Sequence, residues 1–106
     1  FGLAYLHVVE PLDAGTSGGR VTPVLRAVFR GPLMANGGYG AETGNAAVRR
    51  GQANLVSFGT AFLANPDLPE RLRTGAPLNE PDRATFYGGD ARGYTDYPVL
   101  QTADAV

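Results

Sequence analysis

Three short apolar runs, at residues 3–9, 33–35 and 55–58, each end in a turn signal, and stretches of helical spacing separate them. Runs of this length, rich in strand formers, read as strands buried on both faces. Glu10-Pro11 ends the first, and the Gly-containing residues 12–20 read as a loop. Thr22-Pro23 is a helix start, with a hydroxyl cap followed by Pro at the first helical position. Leu25, Val28 and Phe29 then recur at helical spacing until Gly31-Pro32. The second strand ends at Asn36-Gly37-Gly38, and an Ala-rich helix over 41–50 follows, with Arg49 and Arg50 in its last turn and Gly51 as its stop. After the third strand, 60–64 predicts a short helical turn and Asn65-Pro66-Asp67 introduces a helix over 68–73, closed by Gly75. Strictly alternating strands and helices predict an α/β fold with a parallel sheet. Three strands leave raw sheet edges, so the fold calls for more chain or for association.

Composition bounds the function. A length of 106 residues predicts one domain, here 1–106, with a Pro/Gly/Tyr-rich C-terminal tail over 76–106 that packs on something else. The net charge of −1, with all nine basic residues scattered arginines, offers no nucleic-acid footprint. The absence of cysteine excludes a disulfide framework, a zinc–thiolate site and a thiol nucleophile. It fits a reducing, cytoplasmic setting. No apolar run approaches the roughly 20 residues that span a bilayer, and no signal peptide is visible. The chain opens without Met on Phe1-Gly2-Leu3, mid-element, which predicts a fragment.

Two glycine motifs sit at strand ends just before helices. Gly37 and Gly38 follow the second strand, and Gly59 and Thr60 follow the third. Glycine lets backbone approach a phosphate, and N–H groups beside a helix start supply the donors. The same glycines also suit a tight turn that needs positive φ. Two consecutive βα units with glycine at one sheet edge match the recurrent phosphate site of eight-stranded barrels. Thr85-Phe86-Tyr87-Gly88-Gly89, with Tyr94 and Tyr97 beyond, offers aromatics that either cover a planar ligand or anchor the tail. His7, the sole histidine, lies mid-strand and reads as structural, and Glu10 reads as a fixed hydrogen-bonding group. No metal-ligand spacing, nucleophile elbow or Walker loop is present.

Several stretches, in order, carry a resemblance: Tyr5-Leu-His-Val-Val-Glu-Pro11, Gly31-Pro-Leu-Met-Ala-Asn-Gly-Gly-Tyr39, Asn65-Pro-Asp-Leu-Pro-Glu-Arg-Leu-Arg73, Gly75 through Gly89, and Gly93-Tyr-Thr-Asp-Tyr-Pro98. Together they resemble the C-terminal third of the old yellow enzyme family, nearest its N-ethylmaleimide and xenobiotic reductase branch. The resemblance implies strands 6 to 8, with their helices, of a (βα)8 TIM barrel that holds FMN. Such enzymes take hydride from NAD(P)H and reduce activated alkenes, nitro compounds or nitrate esters. It implies that Gly37, Gly38 and Gly59 bind the FMN phosphate, that Tyr87 lines the substrate pocket and that Phe86 supports it. It places no catalytic residue in this chain, and His7 matches none.

There are departures. Thr60 stands where the family has an Arg paired to the phosphate, and a hydroxyl cannot replace a bidentate charged contact. Asn54 and Gly40 stand where Asp is usual. The resemblance further implies a small electrophilic substrate and, as partner, the missing N-terminal barrel half or a second copy. A non-catalytic half-barrel that serves binding or assembly is the alternative.

Overall fold

The computed structural model describes residues 2–13 and 19–101. The fold divides in sequence between Phe58 and Gly59 into two compact units. The first unit contains β1 (Leu6–Val9), α1 (Thr22–Val28), β2 (Leu33–Asn36), α2 (Ala41–Arg49) and β3 (Leu55–Ser57). The strands form a parallel sheet in the order β1-β2-β3. Among the described residues, β1 and β3 each pair on one side only. Leu3–Tyr5, expected to belong to the first strand, lie outside its ladder.

The register separates the two faces. Leu6 pairs with Leu33, Val8 with Ala35, and Ala35 with Val56, so these residues share one face. Val8, Leu33, Ala35 and Ala53 form the core there, with Leu6, Leu25 of α1 and Tyr39 packed against it. Small residues on α2 complete this side: Gly44 and Ala47 are buried, and a side chain at Gly44 would meet Val56 and Phe58. The other face holds His7, Val9, Met34, Asn36, Leu55 and Ser57. It was expected to be covered, but Val9 is 70% exposed and Leu55 53%. The described residues thus bury one face of a sheet whose strands are apolar enough for two.

Side-chain bonds tie the helices to the strands. Asn54 Oδ1 accepts from Leu33 N–H and from Arg26 Nη1, both at 2.9 Å, so an amide oxygen joins β2 to α1. Thr22 was expected to cap α1. Instead it lies inside the helix, which starts after Val21, and its hydroxyl donates to Glu10 at 2.6 Å. At the first helical position the hydroxyl is not placed to cap, and its proton goes to the buried Glu10 carboxylate, a charged and therefore strong acceptor. At α2 the Gly40 N–H donates to Thr43 Oγ1 at 2.8 Å, half of a capping box on a residue with no side chain.

The second unit contains α3 (Thr60–Ala64), α4 (Leu68–Thr74) and a 3-10 turn (Arg83–Thr85). Gly75, left-handed at φ 71°, closes α4 as expected. Arg71 is 4% exposed and organises this unit. Its Nε donates to Asp67 Oδ1 at 2.7 Å, Nη1 to the Pro77 carbonyl at 2.8 Å and Nη2 to the Pro98 carbonyl at 2.9 Å. Asp67 Oδ2 accepts from Leu100 N–H at 2.8 Å. Asn79 donates to the Ala64 and Pro98 carbonyls, and its N–H is taken by the buried Asn65. Residues 76–100, which lack helical or strand periodicity, are therefore held by polar contacts rather than by an apolar stripe.

Candidate functional site

Parallel pairing puts the C-terminal ends of all three strands at one edge of the sheet, where α/β folds bind ligands. Gly37 and Gly38 lie there, with φ 119° and 71°. A Cβ on Gly37 would come within 2.3 Å of the Glu10 carbonyl oxygen, and one on Gly38 within 2.0 Å of the Leu12 carbonyl oxygen. Both glycines are therefore demanded by the chain's own backbone, and the turn explanation is sufficient for their identity. Their N–H groups are another matter. No acceptor among the described residues takes the N–H of Gly37 or Gly38. Two such donors three and four residues before α2 suit an anionic oxygen, so the loop fits a phosphate.

The second unit begins with Gly59 and Thr60. Gly59 has an ordinary φ of −98°, and a Cβ built on it would meet nothing within 4 Å. Neither conformation nor packing in this chain requires glycine there. Thr60 opens α3 and is half-buried.

The three tail tyrosines part company. Tyr97 accepts from the Asp82 N–H at 2.8 Å and Tyr94 from the Tyr87 N–H at 2.6 Å, so both tie loop backbone down. Tyr87 anchors nothing through its ring, which is 88% exposed. It is also the one described non-glycine residue with positive φ, at 55°, a conformation costly for an aromatic residue. Phe86 meets it edge-on at 5.7 Å between ring centroids. The Tyr87 ring is thus exposed and braced by Phe86 on a strained backbone, whereas Tyr94 and Tyr97 are anchors.

Glu10 holds the far side of the glycine loop. Its carboxylate accepts from Val21 N–H at 2.5 Å and from Thr22 Oγ1 at 2.6 Å. Burial alone would raise its pKa, but the Thr22 and Val21 hydrogen bonds and the Arg20 charge outweigh burial and hold it below the ordinary glutamate range. A carboxyl depressed in the folded state stabilises the fold above the unfolded value, and this contribution is lost as pH falls through the folded one. Urea unfolding across an acid pH series should therefore show stability dropping below the ordinary glutamate range, and Glu10→Gln should flatten that slope. Asp67 and Glu70, also depressed, would keep a residual slope. An unchanged slope in the Gln variant would show that Glu10 is not held as described.

Sequence reasoning missed a polar row on the open face. Asn36 Nδ2 donates to the Ser57 carbonyl at 3.0 Å and to Ser57 Oγ at 2.9 Å, and Ser57 Oγ lies 2.9 Å from His7 Nε2. His7 is exposed, not enclosed by its strand. Its separation from Ser57 by 50 residues hid the pairing, and only the register brings the three side chains to one face. The described residues contain no acidic, His or Cys group able to hold a metal, and no helix among them is long and apolar enough to cross a membrane.

Comparison with known proteins agrees with this arrangement. Residues 2–79 match the NADH:flavin oxidoreductase / NADH oxidase family. A 12-oxophytodienoate reductase-like protein of Solanum lycopersicum is 50% identical over 103 residues, covering 96% of this chain and 28% of its own length. A putative 12-oxophytodienoate reductase of Oryza sativa subsp. japonica is 55% identical, with 93% of this chain and 27% of its own length aligned. Among solved structures, morphinone reductase in complex with tetrahydroNAD superposes with a TM-score of 0.76 at 48% identity, over 94% of this chain and 27% of that one. The old yellow enzyme homologue from Zymomonas mobilis gives a TM-score of 0.79 at 41% identity, over 92% and 29%. This chain therefore spans about a quarter to a third of the relatives it matches, as part of their TIM barrel. By its strand-and-loop order and by these matches, the chain belongs to the NADH:flavin oxidoreductase / NADH oxidase family, the old yellow enzymes.

Proposed function

We propose that this chain supplies strands 6 to 8 of an FMN-dependent (βα)8 barrel, with residues 76–106 as the tail that carries one wall of the substrate pocket. FMN in such a barrel moves a hydride from NAD(P)H to an activated alkene, a nitro compound or a nitrate ester. The contribution of this chain is binding and shaping. The N–H groups of Gly37 and Gly38 hold phosphate oxygens, Gly59 allows close approach, and Thr60 adds one hydroxyl. Tyr87, with Phe86 behind it, bounds the substrate. The observation that carries the reading is the pair of unengaged loop donors at the C-terminal end of β2.

In this reading the chain's residues bind and position, and proton transfer to substrate is left to the rest of the barrel. The 106-residue chain mixed with FMN should lose the flavin on desalting and should not oxidise NADPH. Supplied with the five preceding strands of a family barrel, it should retain flavin and oxidise NADPH. In that completed barrel Thr60→Arg should tighten FMN by about tenfold, the value of a charged bidentate phosphate contact. The half-buried Thr60, where the family carries Arg, favours one second reading, a non-catalytic binding or assembly module. An FMN affinity indifferent to the Arg would support it.

A further inference from the structure

The glycine loop has a brace that none of its own residues supplies. Arg20 Nη1 donates to the Gly37 carbonyl at 2.7 Å and stands 3.8 Å from Glu10 Oε2. Its guanidinium carbon lies 3.8 Å from the centroid of the Tyr39 ring. The Arg20 side chain is 17% exposed and that of Glu10 is 6%. Glu10 in turn is pinned by Val21 N–H and the Thr22 hydroxyl at the start of α1. Arg20 is thus fixed by charge on one side and by an aromatic face on another, with its donor aimed at one carbonyl.

That carbonyl matters because of the peptide it belongs to. The Gly37 C=O and the Gly38 N–H are opposite ends of one planar unit, and the chain has no cis peptide among its described residues. In a trans peptide the two groups point in opposite directions. Holding the carbonyl towards Arg20 therefore aims the Gly38 N–H away from it. A charged hydrogen bond at the oxygen also polarises the peptide and strengthens the N–H as a donor. Glycine at both positions leaves the peptide free to rotate unless something holds it.

We propose that Arg20, braced by Glu10 and Tyr39, is a positioning residue for anion binding: it orients and polarises the Gly37–Gly38 peptide so that the Gly38 N–H receives a phosphate oxygen. This role is indirect, since the guanidinium lies on the carbonyl side of the peptide and the anion on the other. The Glu10 carboxylate beside Arg20 cancels much of its long-range field, so the effect is local and resists added salt. The proposal rests on the reading of the loop as phosphate-binding.

The test uses the barrel completed with the five preceding strands, its 106-residue part isotopically labelled, titrated with FMN and with riboflavin, which lacks the phosphate. In the wild type, FMN should shift the Gly38 amide resonance and riboflavin should not. Arg20→Leu should weaken FMN by about tenfold, the value of a hydrogen bond to a charged group, and leave the riboflavin response unchanged. Arg20→Gln, a donor without charge, should fall between. A wild-type response with unchanged FMN affinity in Arg20→Leu would overturn the role of Arg20 and leave the loop reading standing. Absence of any FMN-specific shift at Gly37 and Gly38 in the wild type would remove the loop reading and the proposal together. If Arg20→Leu does not fold, the Gln variant decides alone: affinity equal to wild type overturns the proposal, and a loss supports it.

Discussion

Gly38→Ala is expected to lower the stability of the β1–β3 unit by about 2–3 kcal/mol, whereas Gly51→Ala should cost only about 1 kcal/mol. The two glycines share almost the same backbone conformation, φ 71° and 73°. A side chain at Gly51 meets nothing within 4 Å, while one at Gly38 would drive into the Leu12 carbonyl oxygen. The Gly51 variant therefore measures the penalty of positive φ alone, and the difference between the two measures the packing of the loop on the chain after β1. Urea unfolding of both variants gives the comparison. Equal losses would mean that residues 10–12 yield freely, and the loop would then lack the fixed frame required for aiming its donors.

Arg71→Met should cost the second unit about 3 kcal/mol, because it removes three hydrogen bonds from a buried guanidinium and strips the Asp67 Oδ1 and Pro77 carbonyl of that donor, while the Pro98 carbonyl keeps Asn79. Those acceptors lie at Asp67 just before α4, at Pro77 and at Pro98, so the loss should be felt along the whole segment from 76 to 101. Brief proteolysis should cut the variant in that segment before it cuts β2 or α2. Arg71→Lys should fail to rescue, since an ammonium cannot reach three acceptors in a planar fork. Survival of the segment in Arg71→Met would show that apolar contacts, and not this network, hold it.

These two networks also show where the sequence was readable. Alternating apolar runs and helical spacing located the three strands and the four α-helices of the described residues, though not the 3-10 turn at Arg83–Thr85, because burial and period act over a few neighbouring residues. The glycines at strand ends were visible for the same reason. Thr22 was misjudged because its partner, Glu10, lies twelve positions away and local rules favour a cap. Arg20 was invisible as a brace, since nothing in a one-dimensional pattern links residue 20 to the Gly37 carbonyl and the Tyr39 ring. Tyr87, Tyr94 and Tyr97 looked alike as letters, and only exposure, φ and the hydroxyl partners separate Tyr87 from the two anchors.

The open sides of the sheet carry one more consequence. The free edge of β1 and the free edge of β3 are different surfaces, so a second copy adding in parallel would join them head to tail, never face to face about a two-fold axis. Such a contact repeats until it closes on itself. Each copy brings three strands to the sheet, so copies could offer six or nine, while a closed barrel of this kind holds eight. A closed ring of eight needs five strands beyond the three described here.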